Sequence, residues 1–133
     1  MQDFDYQILA NFRYTLRRFL KFSEEAAGAV GLTPQQHQAL LFARASRGKA
    51  VTVGDLAQWL QIKPHSAAEL SSRLETAGLI MRSEDPQDRR RLLISVSDYG
   101  ERLLASLTEV HRGELQRLKE PVRELLAMLD EPQ

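Results

Sequence analysis

The chain lacks cysteine altogether among its 133 residues, which excludes disulfides, thiol catalysis and redox sensing through cysteine. It has no run of about 18 apolar residues, so no transmembrane helix and no membrane partner are expected. The first residues, Met1 to Asp5, lack the apolar segment of a secretory signal. No glycine-rich phosphate loop and no credible serine–histidine–aspartate set occurs. We therefore expect a cytoplasmic chain that is not an enzyme.

The chain also lacks net charge, since its 18 basic and 18 acidic side chains balance. A domain that binds nucleic acid usually carries an excess of basic residues, and none is present here. Residues 50–98 hold six basic and seven acidic side chains, and their positive charge is concentrated at Arg82 and at Arg89 to Arg91. Any contacts with phosphate are therefore expected to be few and local.

Helical periodicity covers most of the chain, because apolar residues recur at steps of three and four. The pattern predicts helices over residues 4–30, 34–47, 52–60, 64–77 and 98–118. In the second helix it places Leu40, Leu41 and Ala43 on the inward face. Gly31, Gly48 and Gly78 are expected to end the first, second and fourth of these helices. Pro121 is expected to break the fifth helix and to open a short last one, because an interior proline removes a hydrogen bond and clashes with the preceding turn.

The segment between the fourth and fifth helices predicts a β-hairpin. Leu79 to Arg82 supply the outgoing strand, and Leu92 to Val96 alternate as the returning strand. The loop between them, Glu84 to Arg91, ends in three consecutive arginines. A folded protein gains nothing by clustering arginines at a turn unless an anion binds there. Ser97 and Asp98 then offer side-chain oxygens that cap the next helix.

Two short helices followed by a basic hairpin are the plan of a winged helix, with residues 64–77 as the recognition helix, and this plan binds DNA. The hairpin resembles the wing signature of the MarR family (multiple antibiotic resistance regulators), Asp-x-Arg-x5-Leu-Thr-x-x-Gly. Asp88, Arg90 and Gly100 match the signature, while Val96 and Ser97 replace its Leu and Thr. The helices before and after the wing extend the resemblance over nearly the whole chain.

The resemblance implies a mainly α fold with a small β-wing, formed by a single domain over residues 1–133. Residues 34–97 would form the winged helix-turn-helix core, and residues 1–33 and 98–133 would form dimerisation helices. The implied function is a homodimeric, sequence-specific transcriptional regulator, a repressor that binds a palindromic operator in double-stranded DNA without a cofactor. The apolar residues at both ends favour this dimer over the alternative of a single-chain helical core.

Base contacts are expected on the outer face of the recognition helix, with backbone contacts beside it and at the wing. The predicted DNA-binding residues are Pro64, His65, Ser66, Ala68, Glu69, Ser72, Arg73, Arg89 and Arg90. In the family's usual recognition helix, small hydroxyl residues stand where this chain has His65 and Ala68, and a basic residue stands where it has Glu69.

Two of these residues have an alternative role that is purely structural. Glu69 is predicted either to accept a hydrogen bond from cytosine N4 or to pair with Arg73 one turn further along the helix. Arg90 is predicted either to enter the minor groove or to pair with Asp88 or Asp85 and so hold the turn.

The resemblance further implies a small aromatic or phenolic effector between the dimerisation helices and the winged helix. Candidate wall residues are Phe12, Arg13, Phe42, Trp59 and His111. The alternative is that these side chains are simply core. We predict no metal site: His37 and His111 could approach each other across packed helices, but no His-x3-His pair or cysteine supports tetrahedral ligation.

An alternative function remains open beside DNA binding. A winged helix can also contact protein, and the wing arginines would then bind an acidic partner. The zero net charge is compatible with either function. A steep fall in affinity for duplex DNA with rising salt would distinguish the first from the second.

Overall fold

The computed structural model describes residues 1–131 and confirms a mainly α protein with a small β-wing. In chain order the elements are α1 (Asp3–Ala29), α2 (Pro34–Ala45), α3 (Val53–Leu60), α4 (Pro64–Thr76), β1 (Ile80–Asp85), β2 (Asp88–Val96) and α5 (Asp98–Asp130). Residues 132 and 133, which belong to the predicted C-terminal dimerisation segment, lie outside the described part. Within residues 1–131, no helix combines the length and the apolar character needed to cross a membrane.

Side-chain caps fix where three of the helices begin. Thr33 accepts a hydrogen bond from a backbone N–H of α2 at 3.1 Å. Thr52 accepts from the backbone of Asp55 at 3.0 Å, and the Asp55 carboxylate accepts from the backbone of Thr52 at 3.0 Å. Ser97 accepts from the backbone of Gly100 at 3.0 Å and so caps α5. Each cap satisfies donors that the first turn of a helix leaves unpaired.

The core lies between the helix-turn-helix and the long terminal helices. Leu40, Leu56 and Leu74, from α2, α3 and α4, are almost completely buried, and Leu107 of α5 joins them. The sequence pattern also placed Leu41 in this core, but its side chain is 39% exposed. That prediction was wrong because Leu41 is one residue, or about 100°, further round α2 than Leu40.

The wing is longer and its turn tighter than the sequence pattern predicts. β1 and β2 pair in an antiparallel hairpin as far as Asp85 opposite Asp88, so the predicted loop from Glu84 to Arg91 is wrong. Only Pro86 and Gln87 form the turn, and the Asp85 side chain accepts a hydrogen bond from the backbone of Gln87 at 2.9 Å. This local bond closes the turn early and leaves the three arginines on β2 rather than in a loop.

A third segment adds to the wing, and no pattern in the sequence predicted it. The backbone of Ile94 donates to the Val51 carbonyl at 2.8 Å, and Thr52 forms an isolated bridge with Leu93. The chain before α3 thus lies alongside β2. This pairing ties the base of the wing to the helix-turn-helix.

α5 runs through Pro121 without a break, so the prediction of two helices was wrong. From Leu104 onward, the residues that α5 buries or half-buries follow alternating steps of three and four: Leu104, Leu107, His111, Glu114, Leu118, Pro121, Leu125 and Met128. Pro121 occupies one position of this continuous seam. Its missing N–H removes one hydrogen bond to the carbonyl of Arg117, whereas packing along the whole seam keeps the helix continuous.

α1 and α5 pack antiparallel. The Ser23 hydroxyl lies 2.9 Å from Nε2 of His111, and at the other end Asn11 contacts the sulfur of Met128 at 3.9 Å. Beside this seam the two helices leave an open groove of about 340 Å³. Its lining is apolar except for one threonine and consists of Phe12, Thr15, Leu16, Phe19, Leu115, Leu118, Val122, Leu125, Leu126 and Leu129. We call this surface the apolar groove.

Candidate nucleic-acid interface

α4 presents the predicted reading residues to solvent. Its buried face consists of Ala67, Leu70, Ser71 and Leu74. The seven predicted positions on α4 are all exposed: Pro64, His65, Ser66, Ala68, Glu69, Ser72 and Arg73. The helix therefore packs on the core through one face and leaves the opposite face free for a groove of DNA. The base contacts themselves stay a prediction.

Glu69 pairs with a different residue from the one that the sequence suggested. Its carboxylate lies 3.2 Å from Nε2 of His65, one turn earlier, and not against Arg73. Both side chains are largely exposed, at 83% for His65 and 58% for Glu69. An exposed pair of this kind contributes little to stability, so DNA can displace it at small cost.

Carboxylates of the wing hold two of its three consecutive arginines. Nε of Arg90 lies 3.1 Å from Asp88, and a terminal nitrogen of Arg91 lies 3.9 Å from Asp85. The hydrogen bond from the Arg90 side chain, together with that from its backbone, lowers the pKa of Asp88. The structural alternative for Arg90, pairing with Asp88, is therefore the one seen in the free protein.

Three exposed cations near the reading face remain without an ion pair within residues 1–131: Lys63, Arg73 and Arg89. Lys63 occupies the N-cap of α4 but makes no side-chain cap. The first N–H groups of α4 are thus left to solvent, or to a phosphate, which helix N-termini favour. The sequence pointed to Arg73 and Arg89 and missed Lys63.

Arg82 does not belong to the free positive charge of the wing, contrary to the prediction from the sequence. Its Nη2 lies 3.0 Å from Oε1 of Glu75, and its backbone N–H donates to Oε2 of the same residue at 3.1 Å. The hydrogen bond from the Arg82 side chain lowers the pKa of Glu75. Glu75 lies on α4 and Arg82 on β1, on opposite sides of the Gly78 turn, so sequence spacing alone did not suggest that they meet.

The five candidate effector residues lie at three separate places in the chain. Phe42 and Trp59 stack with ring centroids 5.0 Å apart and line a shallow cleft near Lys49. Phe12 lines the apolar groove, and Arg13 follows it on the exposed side of α1. His111 is buried between α1 and α2. Within one chain these residues do not form a common wall, although their role as effector contacts stays a prediction.

His37 and His111 do approach each other, with ring centroids 4.9 Å apart. His111 is held by the Leu107 carbonyl at 2.7 Å from Nδ1 and by the Ser23 hydroxyl at Nε2. Burial first, and the proximity of His111 second, lower the pKa of His37. In the part of the chain that the structure describes, no group of three or more histidine, cysteine or acidic side chains could hold a metal ion.

Helix α4 packs against α3, exposes its opposite face and is followed by an arginine-bearing hairpin. This arrangement defines a winged helix-turn-helix protein. A protein-family model with the description "MarR family" matches residues 30–91 of the chain. Two curated relatives come from Bacillus subtilis strain 168. The transcriptional repressor MdtR is 30% identical over 103 residues, 76% of this chain, and the transcriptional regulator YcgE is 34% identical over 83 residues, 62% of this chain.

Solved structures agree with this match. MepR of S. aureus in a DNA-binding conformation superposes with a TM-score of 0.76 at 26% identity and covers 93% of both chains. A MepR–DNA complex superposes at 0.71 with 25% identity, over 89% of this chain and 90% of that one. The chain belongs to the MarR family of winged-helix regulators. Members of this family are DNA-binding proteins without enzymatic activity, which confirms that the chain is not an enzyme.

The chain spans only part of its curated relatives. It covers 61% of the length of MdtR and 53% of the length of YcgE. What these proteins bind or regulate can therefore be assigned to this chain only as a proposal.

Proposed function

We propose that this chain is a homodimeric repressor of transcription that acts in the cytoplasm and binds a palindromic operator in double-stranded DNA. The observation that carries the proposal is the exposed face of α4 together with free cations at its N-cap (Lys63), on the helix (Arg73) and on the wing (Arg89). His65, Glu69 and Ser72 would face base edges in the major groove, where each base pair has its own pattern of donors and acceptors. Arg89 would reach the adjacent minor groove from the wing.

Two copies are needed because a palindrome presents the same half-site twice. We assign dimerisation to α1 and α5, and DNA binding to the residues between them. The apolar groove supports this division, since most of its side chains are exposed in the single chain, among them Leu126 by 57% and Leu129 by 64%. A second copy that packs its own groove residues against these would remove them from water, at a gain of about 1.5–3 kcal/mol for each large side chain.

Repression would follow from occupancy of the operator, and a small aromatic or phenolic effector would relieve it. An effector that binds better to a conformation in which the two α4 helices no longer match the half-site spacing lowers the affinity for DNA. Two of the candidate residues, Phe42 and Trp59, line one cleft, which is the first site to test with such a ligand.

The proposal is tested by selecting DNA fragments from the source genome with the purified protein. The expected product is a palindromic motif with half-sites about one helical turn apart. Three free cations per protomer predict that log K falls with log salt concentration with a slope of about −5 for the dimer. A selected duplex that binds no more tightly than its shuffled sequence would contradict the proposal. Salt-sensitive binding to an acidic protein alone would favour the rival function.

Arg89 provides the sharpest single variant. Arg89→Ala should weaken operator binding by about 1–3 kcal/mol and make the salt slope shallower, because a phosphate or groove contact is lost from each protomer. Arg112→Ala removes an exposed arginine from the middle of α5 and serves as the matched control. Arg90→Ala should also weaken binding, but it leaves the Asp88 carboxylate unpaired beside DNA. If Arg89→Ala and Arg90→Ala each bind as tightly as the parent protein, the wing does not contact DNA.

A further inference from the structure

Arg82 and Glu75 join the wing to the recognition helix across the turn at Gly78. Nε and Nη2 of Arg82 lie 3.2 and 3.0 Å from the same carboxylate oxygen, Oε1 of Glu75. The other oxygen, Oε2, accepts a hydrogen bond from the backbone N–H of Arg82 at 3.1 Å. One carboxylate on α4 therefore holds both the side chain and the backbone of strand β1.

The same guanidinium reaches further along α4. Nη1 of Arg82 donates to the hydroxyl of Ser71 at 3.4 Å, and this hydroxyl donates to the carbonyl of Ala68 at 2.9 Å. Ser71 is fully buried, so these contacts satisfy a polar group that has no access to water. A continuous set of polar contacts thus runs from the first strand of the wing to Ala68, beside the predicted reading residues.

These contacts differ from the other ion pairs of the wing in what they connect. Arg90 and Asp88 lie two residues apart on one strand, and the Arg90 side chain is 90% exposed. The side chain of Arg82 is 23% exposed, and its partners lie seven and eleven residues away on another element. An exposed ion pair within one strand does not restrict the orientation of that strand relative to other elements. A forked guanidinium that joins two elements does restrict their relative orientation.

We propose that Arg82, Glu75 and Ser71 form a latch that fixes the orientation of the wing relative to the recognition helix, so that each protomer presents both DNA contacts in one geometry. The consequence for DNA rests on the proposed function. Two contacts that are already aligned bind without the cost of ordering the second after the first. None of the three latch residues needs to touch DNA for this effect.

The orientation is measured first, without DNA. The chain has no cysteine, so Lys63→Cys and Gln87→Cys place one spin label at the start of α4 and one at the wing turn. Labelled protein is diluted with unlabelled protein so that each dimer carries one label pair. The distance distribution should be broader in Arg82→Met than in the parent. It should be unchanged in Arg90→Met, which removes the pair confined to the wing.

The effect on DNA is measured as coupling between the latch and the wing. Arg89→Ala should weaken operator binding about 5- to 150-fold in the parent protein but less than about threefold in the Arg82→Met background, because a loosened wing no longer contributes fully. Arg82→Lys keeps the charge but loses the fork, so it should resemble Arg82→Met. A general loss of stability would not change the cost of Arg89→Ala selectively.

An unchanged distance distribution in folded Arg82→Met would overturn the latch. So would an equal cost of Arg89→Ala in both backgrounds. If Arg82→Met fails to fold, Glu75→Gln and Ser71→Ala each remove one part of the latch and take its place in both measurements. If the parent protein binds no selected duplex, the proposed function fails, and the label distances alone decide whether the latch positions the wing.

Discussion

Gly100 illustrates how a single residue of the wing signature can be explained by packing. A Cβ atom at this position would overlap the backbone carbonyl oxygen of Leu79 and would lie 2.9 Å from a methyl carbon of Val96. The first turn of α5 therefore packs directly on the base of the wing. Glycine is required here for close approach and not for an unusual backbone angle, since its φ is not among the positive ones.

Gly100→Ala is expected to lower the free energy of unfolding by about 1–3 kcal/mol, because backbone atoms have to move to admit the methyl group. Urea denaturation at a fixed protein concentration measures the change. Gly113→Ala lies in the same helix with nothing within 4 Å of the added Cβ, and it should be neutral or stabilising by up to about 1 kcal/mol. Equal effects of the two substitutions would contradict the packing explanation.

Glu69 is the residue at which base preference is expected to change. In Glu69→Gln the side-chain amide can form a bidentate contact with adenine where the carboxylate would accept from cytosine, so preference at one half-site position should shift from cytosine towards adenine. Affinity for unrelated DNA should rise because a negative charge leaves the surface. Base-by-base competition on the selected operator measures both effects.

Glu84→Gln is the matched control for this charge change. Glu84 lies on the wing and has no ion pair within residues 1–131. Its substitution should raise affinity without altering base preference. If the base preference of Glu69→Gln is unchanged, Glu69 does not contact a base and is a solvent-exposed residue paired with His65.

Among the elements, α5 departs most from what its sequence predicts. Pro121 costs about 3 kcal/mol in an ordinary helix interior, and that rule favoured two helices. The alternating seam from Leu104 to Met128 continues through the proline, so ending the helix there would expose the residues beyond it. Packing against α1 therefore outweighs the local cost of the missing hydrogen bond.

Pro121→Ala should raise the free energy of unfolding by up to about 3 kcal/mol, because it restores a donor to the Arg117 carbonyl. Part of this gain is offset by lost contacts of the half-buried ring. Thermal and urea unfolding at fixed protein concentration measure the difference, and Lys119→Ala controls for helix propensity at an exposed neighbouring position. A decrease in stability would show that the ring is needed for packing against α1.

For the whole molecule, the apolar groove predicts association. Leu126→Glu places a carboxylate in the groove, so the variant should sediment as a folded monomer and lose specific binding to a palindrome. Gln116→Glu introduces the same group at an exposed position of α5 that does not line the groove, and it should remain dimeric. A parent protein that sediments as a monomer at micromolar concentration would refute the dimer.

Global stability should also depend on pH through His37, which lies where α1, α2 and α5 meet. Burial beside His111 lowers its pKa below the ordinary value of 6.5. Below that value the unfolded chain binds a proton that the folded chain does not, so the free energy of unfolding falls as the pH decreases from about 6.5. One such group contributes at most about 1.4 kcal/mol per pH unit.

Urea denaturation between pH 5 and 8 measures this dependence. The pKa values of Glu75 and Asp88 are lowered from ordinary values of 4.5 and 3.8, so these carboxylates lose their contribution only at more acidic pH. His37→Gln should flatten the slope in this window, whereas the exposed His65→Gln should leave it in place. An equal slope in His37→Gln and the parent protein would assign the dependence to another group.

Much of this protein follows from local sequence rules. Caps at Thr33, Thr52 and Ser97 and the glycine at Gly78 define helix ends through bonds within a few residues, and the exposed face of α4 follows from helical periodicity. Such features depend on neighbours along the chain, so the pattern of residues carries them. The family signature at Asp88, Arg90 and Gly100 similarly indicated the class.

The tertiary structure decided what depends on residues far apart in sequence. It kept α5 continuous through Pro121, because seam packing against α1 exceeds the cost of one missing hydrogen bond. It turned Arg82 from a free cation into a partner of Glu75, because the Gly78 turn brings β1 back along α4. The charge and the helical periodicity of each segment can be taken from the sequence alone. The partner of each side chain, in contrast, is set by how whole elements pack together.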